Sequence, residues 1–297
     1  MFYLIAGVVA NVLIFLAFRT FPIYKIDNLQ AIVVNYFVCV ITGLIFIDKL
    51  ESLRSIDLTA TWSWMAVFIG FLLVLGFYVA TITAQQMGVS ITSVASKMSM
   101  VFPILFSLLI LKVDSKEFSI LNYFGMTLAV LSIYLGSLRS GTKEVINLSK
   151  ASMFLLPFGV FVAGGLIDIS INYSNHILIN ENNQEVFPIV LFGGAAVIGS
   201  FLLIFQKKKL ERRSLIGGLY LGIFNFLSLY FVLKALTAFQ NNGAVFYPIY
   251  NVGIILLSSI LAIIIFHERL SKINVLGLAL SVLALFLLSY QEIIAYF

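Results

Sequence analysis

Lys97 stands inside SITSVASKMSMVFPILFSLLIL, residues 90–111, a run otherwise suited to lipid. An ammonium group at a bilayer centre costs about 2.5–3.5 kcal/mol on insertion scales, so it is expected to face a cavity or a counter-ion. Ser90, Ser93, Lys97 and Met100 follow the steps i, i+3, i+7 and i+10, which puts them on one helix face. A polar stripe with a cation fits a cavity wall that receives an anionic group. A structural lysine held by backbone carbonyls or by a carboxylate fits the same spacing. The carboxylate deepest in a span is Asp168, in GGLIDISINYSN, with Asn172 one turn on. Asp168 can carry a coupling proton, serve as a fixed counter-ion to Lys97, or lie in a wet vestibule near the end of its span. Lys234 lies near a span end, where a lysine can snorkel to the interface.

Aromatic and amide side chains form a second constellation. Tyr78, Thr81 and Gln85 share a face at i, i+3 and i+7. Tyr247, Tyr250 and Asn251 fall at i, i+3 and i+4 around Pro248, and Asn225 and Tyr230 occupy the preceding span. Asn11 and Asn35 mark the first two spans. Such groups often hold membrane helices together, at about 0.6 kcal/mol each, and for any one of them that role competes with ligand contact. Their concentration in the third, fourth, eighth and ninth spans is the signal. The candidate substrate-binding set is therefore Lys97, Ser93, Tyr78, Thr81, Gln85, Asn225, Tyr230, Tyr247, Tyr250 and Asn251, with Asp168 as coupling group or counter-ion.

Enzyme signatures fail. His176 and His267 are the two histidines, HERLS lacks the second histidine of a zinc-protease helix, and no G-x-S-x-G elbow occurs. Cys39 is the single cysteine, which excludes a disulfide framework and a cysteine metal cluster. Neither catalysis nor a metal or other cofactor is expected, and the thinly spread charge gives no reason to expect nucleic acid.

These side chains are expected to lie in membrane spans. The chain has 297 residues, 61% of them hydrophobic and 10% charged. A soluble domain carries roughly 25% charged residues, so this chain cannot cover a water-facing surface. A span needs about 20 mostly apolar residues. That rule gives about ten, near 1–20, 30–47, 62–84, 88–111, 119–138, 152–174, 186–206, 214–237, 241–266 and 273–290. The first is expected to be a retained span, since it lacks a basic leader and a small-residue cleavage site. Connections are short, and no phosphate-binding loop motif appears.

The chain also repeats itself at an offset of 152 positions, which pairs Tyr78 with Tyr230, Ser107 with Ser259, Ser119 with Ser271, Asn122 with Asn274 and Gly125 with Gly277. Two halves of five spans, 1–140 and 150–291, are expected. Five is odd, so the second copy enters from the opposite side, giving an inverted repeat around a central cavity. Connections after odd-numbered spans hold most of the Lys and Arg, including Arg19, Lys25, Lys207 to Lys209, Arg212, Arg213 and Arg269. The positive-inside rule puts these in the cytoplasm and both termini outside. Lys207, Lys208, Lys209, Arg212 and Arg213 also form the kind of cluster that sits near anionic lipid.

Ten spans, a duplicated half and the segment FHERLSKINVLGLALSVLALFLLS resemble the EamA-type drug/metabolite transporters. The residues that carry the resemblance are Glu268, Arg269, Leu270, Ser271 and Gly277, with a degraded counterpart at Lys116-Glu117 and Pro103 in the fourth span. The resemblance implies an inner- or plasma-membrane secondary transporter with a cavity between the halves. Family habit puts the termini in the cytoplasm, against the charge count. The expected activity is alternating-access transport, most simply export, of a small polar or amphipathic metabolite such as an amino acid, with proton coupling open. Exchange of phosphorylated or nucleotide-sugar-like anions is the alternative within transport. A receptor or an intramembrane enzyme is the alternative outside it.

Overall fold

The computed structural model describes residues 1–47, 50–109, 119–138, 150–180, 183–207, 209–239 and 243–296, and every element within them is helical. The first half comprises α1 (Phe2–Thr20), α2 (Asn28–Phe46), α3 (Thr61–Met87), α4 (Val89–Met98), α5 (Val101–Leu109) and α6 (Ile120–Ser137). The second half comprises α7 (Lys150–Tyr173), α8 (Phe187–Gln206), α9 (Arg212–Ala238), α10 (Gly243–Phe266), α11 (Lys272–Leu288) and a short α12 (Tyr290–Tyr296). Among the described residues, nine helices are long and apolar enough to cross a membrane, with α4 and α5 together forming one of them. The tenth candidate, α11, has 17 residues and lies at the lower limit for a span. The protein is a multi-pass helical membrane protein. Helices are the open-chain solution in lipid, because each satisfies its own backbone groups.

Local chemistry sets the helix starts. Asp27 caps α2 by accepting from the Gln30 N–H at 3.1 Å. Ser119 and Ser271 begin α6 and α11 with capping boxes, each closed by an asparagine three residues on. Both boxes satisfy backbone donors that a helix start leaves open.

The two halves interlock. Helix α2 packs on α9, α3 on α8, α1 on α9, α3 on α7 and α6 on α11. Small residues set these distances. A Cβ added at Gly218 or Gly222 of α9 would lie 2.7 Å from the Ala31 carbonyl oxygen or 2.8 Å from that of Asn35, both in α2. In the α3–α8 pair a Cβ at Gly70 would lie 2.8 Å from the Leu191 carbonyl oxygen, and one at Gly194 would lie 2.9 Å from Val67 Cα. In lipid, where apolar burial gives little drive for helices to associate, such close backbone packing supplies it.

Candidate functional site

The fourth span is not one straight helix. Helix α4 ends at Met98, Ser99 and Met100 form a turn, and α5 begins at Val101. Pro103 explains the break, because it has no N–H to offer the carbonyl of Ser99 four residues back. That carbonyl instead accepts from the Phe102 N–H at 2.9 Å. Helix α7 makes room with two glycines. A Cβ at Gly164 would lie 2.9 Å from Ser99 Oγ, and one at Gly165 would enter the Phe102 ring.

The break carries the charged residues. Ser99 Oγ donates to Asp168 Oδ2 on α7 at 2.9 Å and also lies 2.7 Å from the Ser96 carbonyl. Lys97, one turn-end away, interacts electrostatically with Asp168. Its ammonium sits 5.7 Å from the centre of the Phe15 ring on α1, within reach of a cation–π attraction. Both Lys97 and Asp168 keep partial exposure although they lie far from the ends of their spans. Lys97 and Asp168 feel each other's charge without a direct ion pair among the described residues, and both keep partial exposure, so the arrangement can take an anionic group at Lys97 or a proton at Asp168.

The structure sorts the other candidates. Tyr247 on α10 is 41% exposed and lies within electrostatic reach of Asp168. Asn251 is buried and donates to Met100 Sδ at 3.4 Å, across to the broken turn. Ser93 is buried, donates to the Ser90 carbonyl at 2.9 Å and receives Ser258 Oγ from α10 at 2.7 Å. Met100 lies on the turn and not on α4, so the expected face of Ser90, Ser93, Lys97 and Met100 loses its last member.

Tyr250 is buried, with its hydroxyl 3.3 Å from the Gly7 carbonyl and 3.3 Å from Ser228 Oγ, which in turn accepts from Asn11 at 3.1 Å. Asn225 donates to Asn35 Oδ1 at 3.1 Å and joins α9 to α2. Thr81 Oγ1 returns to the Phe77 carbonyl of its own helix at 2.7 Å. Gln85 exchanges amide bonds with Asn28 at 2.8 and 3.2 Å and donates to the Phe18 carbonyl at 3.2 Å. Tyr230 meets the Phe46 ring at a tilt, 5.4 Å between centres, and lies beneath the Lys234 ammonium, and Tyr78 is 38% exposed on α3. The turn at Lys116-Glu117 and the side chain of Ser107 lie outside the described residues.

One functional feature escaped the sequence reading. Gly88 alone joins α3 to α4, at φ 104° and ψ 162°, a conformation essentially confined to glycine. The buried start of α4 is capped from the other half of the chain. Glu268, buried, accepts from the Val89 N–H at 2.7 Å and from Ser90 Oγ at 3.0 Å. A carboxylate suits a helix N-terminus, where unpaired N–H groups and the dipole both favour negative charge. At the other side of the corner, Arg19 donates to the Gln85 carbonyl at the end of α3. Glu268 was visible as part of a turn motif, but a cap supplied from about 180 positions away has no local signal.

No family model matches the chain. A protein of Haemophilus influenzae strain Rd, described as uncharacterized, is 28% identical over 271 residues, which is 89% of each chain. A crystal structure of another protein superposes over 96% of this chain and 98% of its own, with a TM-score of 0.53 and 11% identity, a likeness of fold alone.

Proposed function

We propose that the protein is an EamA-type secondary active transporter that moves a small polar or amphipathic metabolite, such as an amino acid, by alternating access. The observation that carries this reading is the Lys97–Ser99–Asp168 group at a broken span. Discontinuous helices with polar groups at mid-membrane are a recurring way to build substrate and ion sites in secondary transporters. Lys97 takes the substrate's carboxylate, and Asp168 balances Lys97 or carries a proton when the site is empty. Tyr247 and Asn251, which approach the same place from α10, complete the site.

Support for an inverted repeat comes from reciprocal contacts. Asn122 donates to the carbonyls of Leu287 and Leu288 at 3.2 and 3.0 Å. Asn274 donates to those of Leu135 and Gly136 at 3.5 and 2.7 Å. Each partner is displaced by the same 152 positions that relate the two asparagines. Contacts that exchange in this way are the mark of a two-fold relation. With the Lys and Arg count, the reading puts the protein in an inner or plasma membrane with its termini outside.

A thermal-shift screen of purified protein against metabolite pools tests the reading. A ligand at 100 times its Kd stabilises by about 2.7 kcal/mol if it binds the native state alone. A carboxylate ligand should shift the wild type and leave Lys97→Met unmoved, and the same compound should cross proteoliposomes only with the wild type. A ligand that shifts both proteins equally, or one that binds without any flux, would overturn the proposal.

A further inference from the structure

A cavity of about 640 Å³ lies between the end of α1 and the start of α9. It shares no lining residue with the Lys97 site. Leu16 and Ile216 are among its apolar walls, and Tyr24, Tyr220, Lys25 and Arg213 are among its other lining residues. Lys25 and Arg213 are exposed, and no hydrogen bond or ion pair ties either side chain to another described residue.

The backbone holds Lys25 in an unusual way. The Ile26 N–H bonds the Phe21 carbonyl at 2.9 Å and the Lys25 N–H bonds that of Pro22 at 3.2 Å. This pair of bonds closes a helix end through a left-handed residue, a place glycine usually fills. Here it is Lys25, at φ 54°. Lys207 and His267 take the same left-handed state, so the turn fixes where Lys25 sits beside the groove and the groove's own lining carries the case for its use. Lys25 and Arg213 thus line the same groove.

Two exposed cations, two tyrosines and an apolar channel match the parts of one kind of ligand. Tyrosine settles at the headgroup level, basic residues there attract acidic headgroups, and a groove of this volume admits acyl chain. We propose that this groove binds an anionic phospholipid, with Lys25 and Arg213 on the phosphate and an acyl chain along Leu16 and Ile216. The groove lies on the side that carries Arg19, Lys207, Lys209 and Arg269, the side expected to meet the acidic leaflet. A choline headgroup would bring its own cation toward Lys25 and Arg213 and is disfavoured.

Native mass spectrometry of the full chain in detergent tests this. Phosphatidylglycerol and phosphatidylcholine of matched acyl chains are offered at equal concentration. Phosphatidylglycerol should be retained preferentially. Lys25→Gly, which keeps the left-handed turn, and Arg213→Gln should each weaken it about fivefold, and together about twenty-fivefold, the effect of one basic residue near an anionic surface at each step. Arg54→Gln, on the α2–α3 connection, should leave retention unchanged. Circular dichroism melts establish that each variant is folded. Equal retention of the two lipids by the wild type would overturn the proposal, as would undiminished phosphatidylglycerol binding by the folded double variant. Displacement of the lipid by excess glycerol phosphate would mark a site for a soluble anion and overturn it as well.

Discussion

Asn122 and Asn274 perform the same act on each other's helix. Each closes the capping box of its own helix and donates its amide to the last carbonyls of the partner, Asn122 to Leu287 and Leu288, Asn274 to Leu135 and Gly136. Gly125 and Gly277 repeat the exchange one turn on. A Cβ at Gly125 would lie 3.1 Å from the Ala284 carbonyl oxygen, and one at Gly277 would lie 2.9 Å from that of Ser132. The α6–α11 pair is thus held by matched contacts from both ends.

Equal damage is therefore expected from Asn122→Ala and Asn274→Ala. Each removes a buried amide and strands helix-end carbonyls, at about 1–3 kcal/mol. Thermal melts of the purified variants should agree within about 0.5 kcal/mol, and the double variant should be close to additive because the two amides share no partner. A large inequality would argue against a two-fold relation.

Gly88→Ala should be severe. It forces a side chain into a glycine-only conformation, at about 1–3 kcal/mol, and puts a Cβ 2.8 Å from the Glu268 carboxyl carbon. Glu268→Gln should be milder than Glu268→Ala, because an amide oxygen still accepts from the Val89 N–H. Folded yield and melting temperature after extraction check the order Gln above Ala.

Lys97→Met and Asp168→Asn should each destabilise, by less than the ~3–5 kcal/mol of a fully buried ion pair, since each leaves a partly buried charge without the opposite charge it interacts with. The double variant should melt above either single one, because neither charge is left alone. Substrate binding should not return with stability. Melting curves and ligand affinity measured on all four proteins separate a structural pair from a binding pair.

Topology can be read with thiols. Cys39 is buried and leaves little background. Lys209→Cys and Gln184→Cys place reactive groups at exposed positions on opposite ends of α8. An impermeant maleimide added to intact cells should label the second and spare the first. The reverse pattern would put the termini in the cytoplasm.

The class of protein was written in the sequence because the solvent imposes it locally. Long apolar runs and 10% charge leave a membrane as the solvent, whatever the helices touch. The offset of 152 could be read in part for the same reason, since Ser119 and Asn122, like Ser271 and Asn274, form a local capping box at a helix start. Pro103 also announced a freed carbonyl, although periodicity carried the face past it to Met100. What the sequence could not decide was the partner of each polar group. Gln85 and Thr81 share a face with Tyr78, yet Gln85 ties helix ends together and Thr81 bonds its own backbone. Glu268 reads as a loop carboxylate until folding brings it to Val89. A polar side chain in lipid must find a partner, and which partner is nearest depends on how helices distant in sequence cross. Only the tertiary structure decides that.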